Sequence, residues 1–333
     1  MTPRDPRPSL RGPLLVFGLY LVATFLALRW LHAAPGFSSA AGFGVARGWF
    51  ALLALVQYLG IGVGVGLVYH RVLVHRAAKM HPALAYPLVA FVLPAGTPVQ
   101  WVGNHRHHHA ATDTDADAHS PVRHGFWVAH AGWYIGRTEP WLCALYSLGG
   151  PLRMVFDAFW RPRSNQEHVR FARDIARVPF YAAVSRPTPY AVLVLGHVFL
   201  SWLVAYACFG VWALPLLYLQ QLTYFVLGDA VNSLLHLVGR QTWKSGDSSR
   251  DNPVLALLTF GEGWHNGHHA FPSSVRSGLL PGQIDVLYLI ARGLERVGLM
   301  SELVVPSREE LLARLDDHTQ RARLGWAPEE AAA

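Results

Sequence analysis

The sequence predicts an all-α integral membrane protein: four transmembrane helices with a cytoplasmic helical cap holding a histidine-rich dimetal site. Three observations predict it. Hydrophobic residues make up 52% of the 333-residue chain and charged residues only 15%, well below the charge content of a soluble domain. Four apolar runs, at about 13–30, 49–69, 189–209 and 211–235, have roughly the 20 residues that cross a bilayer as a helix. Three clusters of histidine fall in the polar stretches that adjoin these runs.

Taken in order, residues 1–11 form a polar N-terminal tail carrying Arg4, Arg7 and Arg11. The first run is too long for a signal-peptide core and reads as an uncleaved anchor. The second ends directly at His70. Its repeat of Gly60, Gly62, Gly64 and Gly66 lies inside the run, where small residues let helices pack closely, and is not a nucleotide loop. Residues 70–187 are mostly polar, and their apolar subsegment 82–98 is punctuated by Pro and Gly, so it reads as interfacial or packed against protein. The Phe209-Gly210 break makes the third and fourth runs a helical hairpin. A membrane domain thus covers 12–300. Residues 301–333 follow as a C-terminal cytoplasmic helix and tail, with Ser307 and Glu310 at capping-box spacing. Four spans place both termini and the long middle loop on one side. Lys and Arg concentrate there, which puts the histidine clusters on the cytoplasmic face.

The net charge of +7 reports this orientation. No basic stripe interleaves with stacking aromatics, which excludes nucleic acid as a partner. Cys143 and Cys208 lie in apolar contexts without metal or disulfide spacing and read as buried thiols.

The histidines carry the chemistry. They are His70 and His75 in HRVLVH, His105, His108 and His109 in HRHHH, and His265, His268 and His269 in HNGHH; His236 lies four residues after Asn232. Residues at i, i+3 and i+4 share a helix face, and both HxxHH sets have that spacing. His107 points away from its neighbours and is left out. His70 and His75 diverge by ~140° on an ideal α-helix, so they serve one site only if the helix ends there. Neutral imidazole is the commonest metal ligand, and one four-coordinate ion cannot use nine, so two ions are expected. Imidazole suits Fe, Zn, Cu and Ni. A hard oxygen cage for Mg or Ca is excluded, and the absence of nearby thiolates argues against iron–sulfur. Nine nitrogen ligands at a membrane surface point to a redox pair working on a lipid-like substrate.

The set HxxxxH, HRxHH, NxxxH and HNxHH, in this order and placement, resembles the membrane fatty acid desaturases of the stearoyl-CoA, delta-9 type. The segments DTDADAHSP, HAGW (His130 to Trp133), SRDN (Ser249 to Asn252) and GEGWHNGHHAFP (Gly261 to Pro272) extend the resemblance over roughly residues 50–300. It implies a centre of two Fe ions that uses O2 as co-substrate to remove two hydrogens from a saturated acyl chain. It also implies the ligand set His70, His75, His105, His108, His109, His236, His265, His268 and His269, with Asn232 bound through a water.

Ligating imidazoles usually give their second N–H to a carboxylate or carbonyl. Asp113, Asp115, Asp117 and Glu262 are close enough in sequence to do this. Asp229, an acid near the end of an apolar run and three residues before Asn232, is a further candidate. The acyl-CoA enzymes of animals carry Arg-Asp before the second box, where this chain has Gly103-Asn104. The acyl carrier therefore stays open among CoA, a carrier protein and a phospholipid. Arg153, Arg161, Arg163, Arg170 and Arg173 are placed either to meet phosphates or to anchor at the membrane surface. Electrons are expected from a separate donor of ferredoxin, rubredoxin-like or cytochrome b5 type. The alternative activity is a lipid hydroxylase or oxygenase on the same scaffold. The expected location is a bacterial plasma membrane, with the endoplasmic reticulum as alternative.

Overall fold

A computed structural model describes residues 11–33, 58–133, 140–148, 152–160, 169–210 and 213–315. The N-terminal tail up to residue 10, the first part of the second apolar run (49–57), Arg161, Arg163 and residues 316–333 lie outside this set.

The described chain is mostly helical. Helix α1 (Arg11–Ala33) is followed by α2 (Tyr58–Val74), α3 (Pro82–Val92) and α4 (Pro98–Ala111). Next come α5 (Val128–Gly132), α6 (Pro140–Leu148) and α7 (Leu152–Trp160), then the long α8 (Pro187–Phe209) and α9 (Ala213–Ser233). Four shorter helices follow α9: α10 (Pro253–Leu258), α11 (His265–Ala270), α12 (Val286–Arg296) and α13 (Arg308–Arg314); further short helical pieces lie at Pro121–His124, Arg173–Ala176 and Pro179–Val184. Strands β1 (Lys79–Met80) and β2 (Met300–Ser301) pair antiparallel and tie the chain's end to the segment after α2.

Among the described residues, two helices are long and apolar enough to cross a membrane, α1 and α8. Each turns large apolar side chains outward: Leu21 and Phe25 on α1, Phe199 and Leu200 on α8, as a lipid-facing helix does. By length and composition the described residues give two spans, or three, where four are expected; residues 49–57 of the second expected run lie outside them. The third would be α3 and α4 taken together, which are bent by 74° at their junction. Pro94 and Gly96 lie at that bend, where the chain cannot continue one helix. Helix α9 is 21 residues long, but Gln220, Gln221, Thr223, Asp229 and Asn232 interrupt its apolar character. It returns from the break at Gly210 to pack against α8 and α1.

The main core lies where α2, α3, α4 and α8 meet, around Val68, Tyr69, Val92, Val102 and Tyr190. Gly64 shows why the glycine repeat is there: a Cβ on it would lie 2.2 Å from Val92 Cγ1, so α2 and α3 touch only because it has none. The rest of the described chain after α10 is built by α11, α12, α13 and the loops around them. Its last helix carries the expected capping box, with Ser307 Oγ accepting from Glu310 N at 3.2 Å and Ser307 N donating to Glu310 Oε2 at 2.7 Å. Cys143 is buried. Arg153 is buried over the ring of Phe225.

Candidate metal centre

Four segments bring the histidines together. Helix α2 is α-helical at its start, but from Gly62 to Val74 it is a π-helix, closed by i→i+5 bonds. His75 N donates to His70 O at 3.1 Å. Residues five apart then return to one side, and the His70 and His75 rings lie 4.9 Å apart. The ~140° divergence belongs to an ideal α-helix; here the winding is π and the helix ends at Val74, with His75 as its C-cap. Helix α4 starts on the Thr97 cap, whose Oγ1 accepts from Gln100 N, with Pro98 following. It presents His105, His108 and His109 about two to three turns later. Helix α9 tightens into a 3₁₀ turn at Leu234–His236, which delivers His236 with Asn232 half-buried one turn earlier. Helix α11 supplies His265, His268 and His269.

The imidazoles assemble into two groups. His70, His75, His105, His109 and His268 form the first, and His108, His236, His265 and His269 the second; within each, one nitrogen per ring lies within 4.8 Å of the others. Each HxxHH helix thus serves both groups, since adjacent or nearly adjacent side chains on a helix aim in different directions. In the first group Nε2 of His268 is 3.0 Å from Nε2 of both His70 and His109, and His109 Nε2 is 3.1 Å from His105 Nε2. In the second, His236 Nε2 is 3.2 Å from His265 Nε2. Nitrogens ~3 Å apart suit neighbours in the shell of one ion with ~2.1 Å bonds.

Carboxylates fix the rings from behind. Asp117 Oδ2 lies 3.0 Å from His108 Nδ1, Asp113 Oδ2 3.2 Å from His236 Nδ1, and Asp247 Oδ2 2.7 Å from His269 Nδ1. Glu262 pairs with His70 Nδ1. A neutral imidazole that donates from Nδ1 has only a lone pair at Nε2. Nε2 of His75, His108 and His269 is buried and without a hydrogen-bond partner. A buried cluster of facing lone pairs is costly unless a cation satisfies it, so the residues fit a metal pair.

Electrostatics agree. Burial first, and the neighbouring imidazoles second, push His75, His265, His268 and His269 well below the ordinary histidine value, which keeps them neutral and able to ligate. Burial alone would raise the Asp117 and Glu262 carboxyls. Hydrogen bonds from His108 Nδ1 and Asp113 N hold Asp117 at about 2 instead, and the Arg71 guanidinium with His70 Nδ1 does the same for Glu262, also at about 2.

The other predicted residues are placed as follows. Asp113, Asp117 and Glu262 touch cluster histidines. Asp115 is exposed, near Arg123. His107 turns to Phe171. Asp229 sits on α9 within electrostatic reach of Tyr20, and Ser233 Oγ donates to its carbonyl. Arg170 lies over Phe171.

Several residues escaped the sequence reading. Asp247 holds His269 from 22 positions away in the chain. His119 is buried, stacks on His108 at 4.4 Å and forms a further compact group with His108 and Asp117; its place in DADAH was the available signal. Arg71, directly after His70, is 1% exposed and bridges Glu262 and Asp285. Asn266, inside HNGHH, accepts from Thr242 N and Trp243 N at 2.7 Å, and so docks the loop carrying Asp247. A cleft of about 360 Å³, lined by Val74, His75, Arg76, Arg106, Pro272 and Ser273, opens beside the first group.

Comparison with known proteins matches the fatty acid desaturase family model to residues 47–281. The chain is 36% identical over 265 residues to delta-9 acyl-lipid desaturase 1 of Arabidopsis thaliana, covering 79% of this chain and 78% of that protein. It is 32% identical over 267 residues to icosanoyl-CoA 5-desaturase of Limnanthes douglasii, covering 79% and 66%. With palmitoyl-monogalactosyldiacylglycerol delta-7 desaturase of Arabidopsis thaliana it shares 31% over 263 residues, covering 78% and 63%. The histidine geometry and these matches agree: the chain belongs to the fatty acid desaturase family and is an oxidoreductase of the desaturase type.

Proposed function

We propose that the chain is an O2-dependent fatty acyl desaturase that introduces a cis double bond at the delta-9 position using two iron ions. The observation that carries this reading is the pair of buried imidazole groups with converging lone pairs. One ion would be held by His70, His75, His105, His109 and His268. The other would be held by His108, His236, His265 and His269, with Asn232 through a water. When bound, such a pair reduces O2 and supplies the oxidising power that an unactivated methylene demands. The balanced reaction removes one hydrogen from each of two adjacent methylenes, forms the C=C bond, and takes two electrons and two protons from outside with O2 to give two waters. The electrons come from a separate donor protein.

The chain's own residues orient and seal. Asp113, Asp117, Asp247 and Glu262 fix ring directions through Nδ1. Trp101 stacks on His105 at 5.1 Å and shields that ring. Support for delta-9 comes from the relatives named delta-9 acyl-lipid desaturases, although other relatives are named for delta-5 and delta-7 positions. We read α1, the 49–69 segment, α8 and α9 as four spans with the metal centre on the cytoplasmic face, on the strength of the Lys and Arg distribution. The carrier of the acyl chain is a lipid or CoA.

Expression with a compatible reductase, followed by analysis of total fatty-acid methyl esters, tests the proposal. A new monoene with its double bond at carbon 9 is the expected result. A monoene elsewhere corrects the position, a hydroxylated product replaces the reaction type, and an unchanged profile from folded, iron-loaded protein overturns the reading.

A further inference from the structure

We propose that α10, together with Leu237 and Val238, is a re-entrant wedge seated in the hydrocarbon of the bilayer, with lipid acyl chains as its partner. Val254 and Leu257 on α10 are 66% and 75% exposed. Leu258, Leu237 and Val238 add to the same segment pair at 42%, 42% and 53%. The opposite side of α10 is spoken for: Leu255 and Ala256 are buried, and Leu255 packs with Ala230 and Leu235 at the end of α9.

The depth of α10 follows from two helices. Tyr224 lies near the middle of α9, which is hairpin-paired with the membrane-spanning α8. Tyr58, at the start of α2, stacks on Tyr224 at 5.6 Å. Tyr58 OH donates to Leu258 O, and its ring lies 4.7 Å from Phe260. The end of α10 is thereby held at mid-height of α9, and also at the end of α2 remote from the histidines. An exposed apolar face at that level meets acyl chains.

The backbone is prepared for such a place. Irregular chain enters hydrocarbon only when its polar groups are satisfied internally. Asn252 Oδ1 accepts from Val254 N and Leu255 N at 3.0 and 3.1 Å. Leu255 O accepts from Thr259 N and Oγ1, Ala256 O from Gly261 N, and Leu258 O from Tyr58. Exposed Arg240 follows Val238 by two residues and sits where a cation meets the headgroups.

A diazirine amino acid placed at Leu257 in the full-length chain, irradiated in intact membranes, tests this, with Glu302, directly after β2, as comparator. The expected result is a phospholipid adduct at Leu257 several-fold above that at Glu302. A crosslink to residues 34–57 of the same chain, to a second copy or to another protein overturns the proposal, as does equal lipid labelling at both sites. A second measurement avoids the photoprobe: in a chain carrying Cys143→Ala and Cys208→Ala, Leu257→Cys should react with a membrane-impermeant maleimide several-fold more slowly than Glu302→Cys. Equal or faster reaction overturns the wedge.

Discussion

The two imidazole groups share α4 and α11 but are supported differently. In the second group His108, His236 and His269 each rest on an aspartate, Asp117, Asp113 and Asp247. In the first, among the described residues, one carboxylate is so placed, Glu262 on His70, and Arg71 shares it. Three anions, none paired with an arginine in the described residues, make the second group the more electron-rich setting for a cation. The single shared anion of the first is locked into a buried chain running from Asp285 through Arg71 to Glu262. The contrast teaches that one kind of ligand can be tuned from behind, by loops in one case and by a helix-borne arginine in the other.

Four experiments press on this contrast. The largest effects come from the ligands themselves. His265→Ala and His75→Ala should each abolish desaturation and lower bound metal, measured by elemental analysis. If the groups are separate sites, each variant loses the metal of its own group; loss of both from either variant would merge them.

Next is Glu262→Gln. It leaves Arg71 buried with only Asp285 as charged partner, and breaking a buried pair from one side costs roughly 3–5 kcal/mol. A large fall in Tm is expected. Asp247→Asn removes an anion with no arginine behind it, and should cost about 10–100-fold in metal affinity or activity with a smaller change in Tm. Equal stability loss in both variants would erase the distinction between the two supports.

The pH response is smaller and has a definite sign. His75, His265, His268 and His269 have depressed values in the folded metal-free protein. The unfolded chain protonates near its ordinary value of ~6.5, so it binds more protons below that pH. Stability is full above ~6.5 and falls as the pH drops through it. Asp117 and Glu262, held at about 2, add a further loss only below ~4. Tm of the metal-free protein should therefore decline between pH 7.5 and 5.5; a flat profile would contradict the burial of neutral imidazoles. Least affected is Asp115→Asn, which should leave Tm and metal content unchanged, because that carboxylate faces solvent.

The histidine positions were legible because their spacing is local: one turn of helix places i, i+3 and i+4 together, and both HxxHH sets form helices. The acids at 113 and 117 and at 262 were legible through proximity in sequence. Asp247 was not, because its link to His269 passes through a loop folded back by Asn266 and carries no periodic mark. The π-winding of α2 was also hidden. An HxxxxH pair has no face in common on an α-helix, and nothing in the residue pattern announces the change of pitch.

By itself the sequence determined the chemistry: which residue types meet, that they outnumber the ligands of one ion, and that they adjoin apolar helices. Those depend on composition and on spacing within single helices. The division of nine rings into five and four, the carboxylates behind His70, His108, His236 and His269 and the seat of α10 against Tyr58 were decided by tertiary structure. Each depends on contacts between segments distant in the chain, and only packing fixes those.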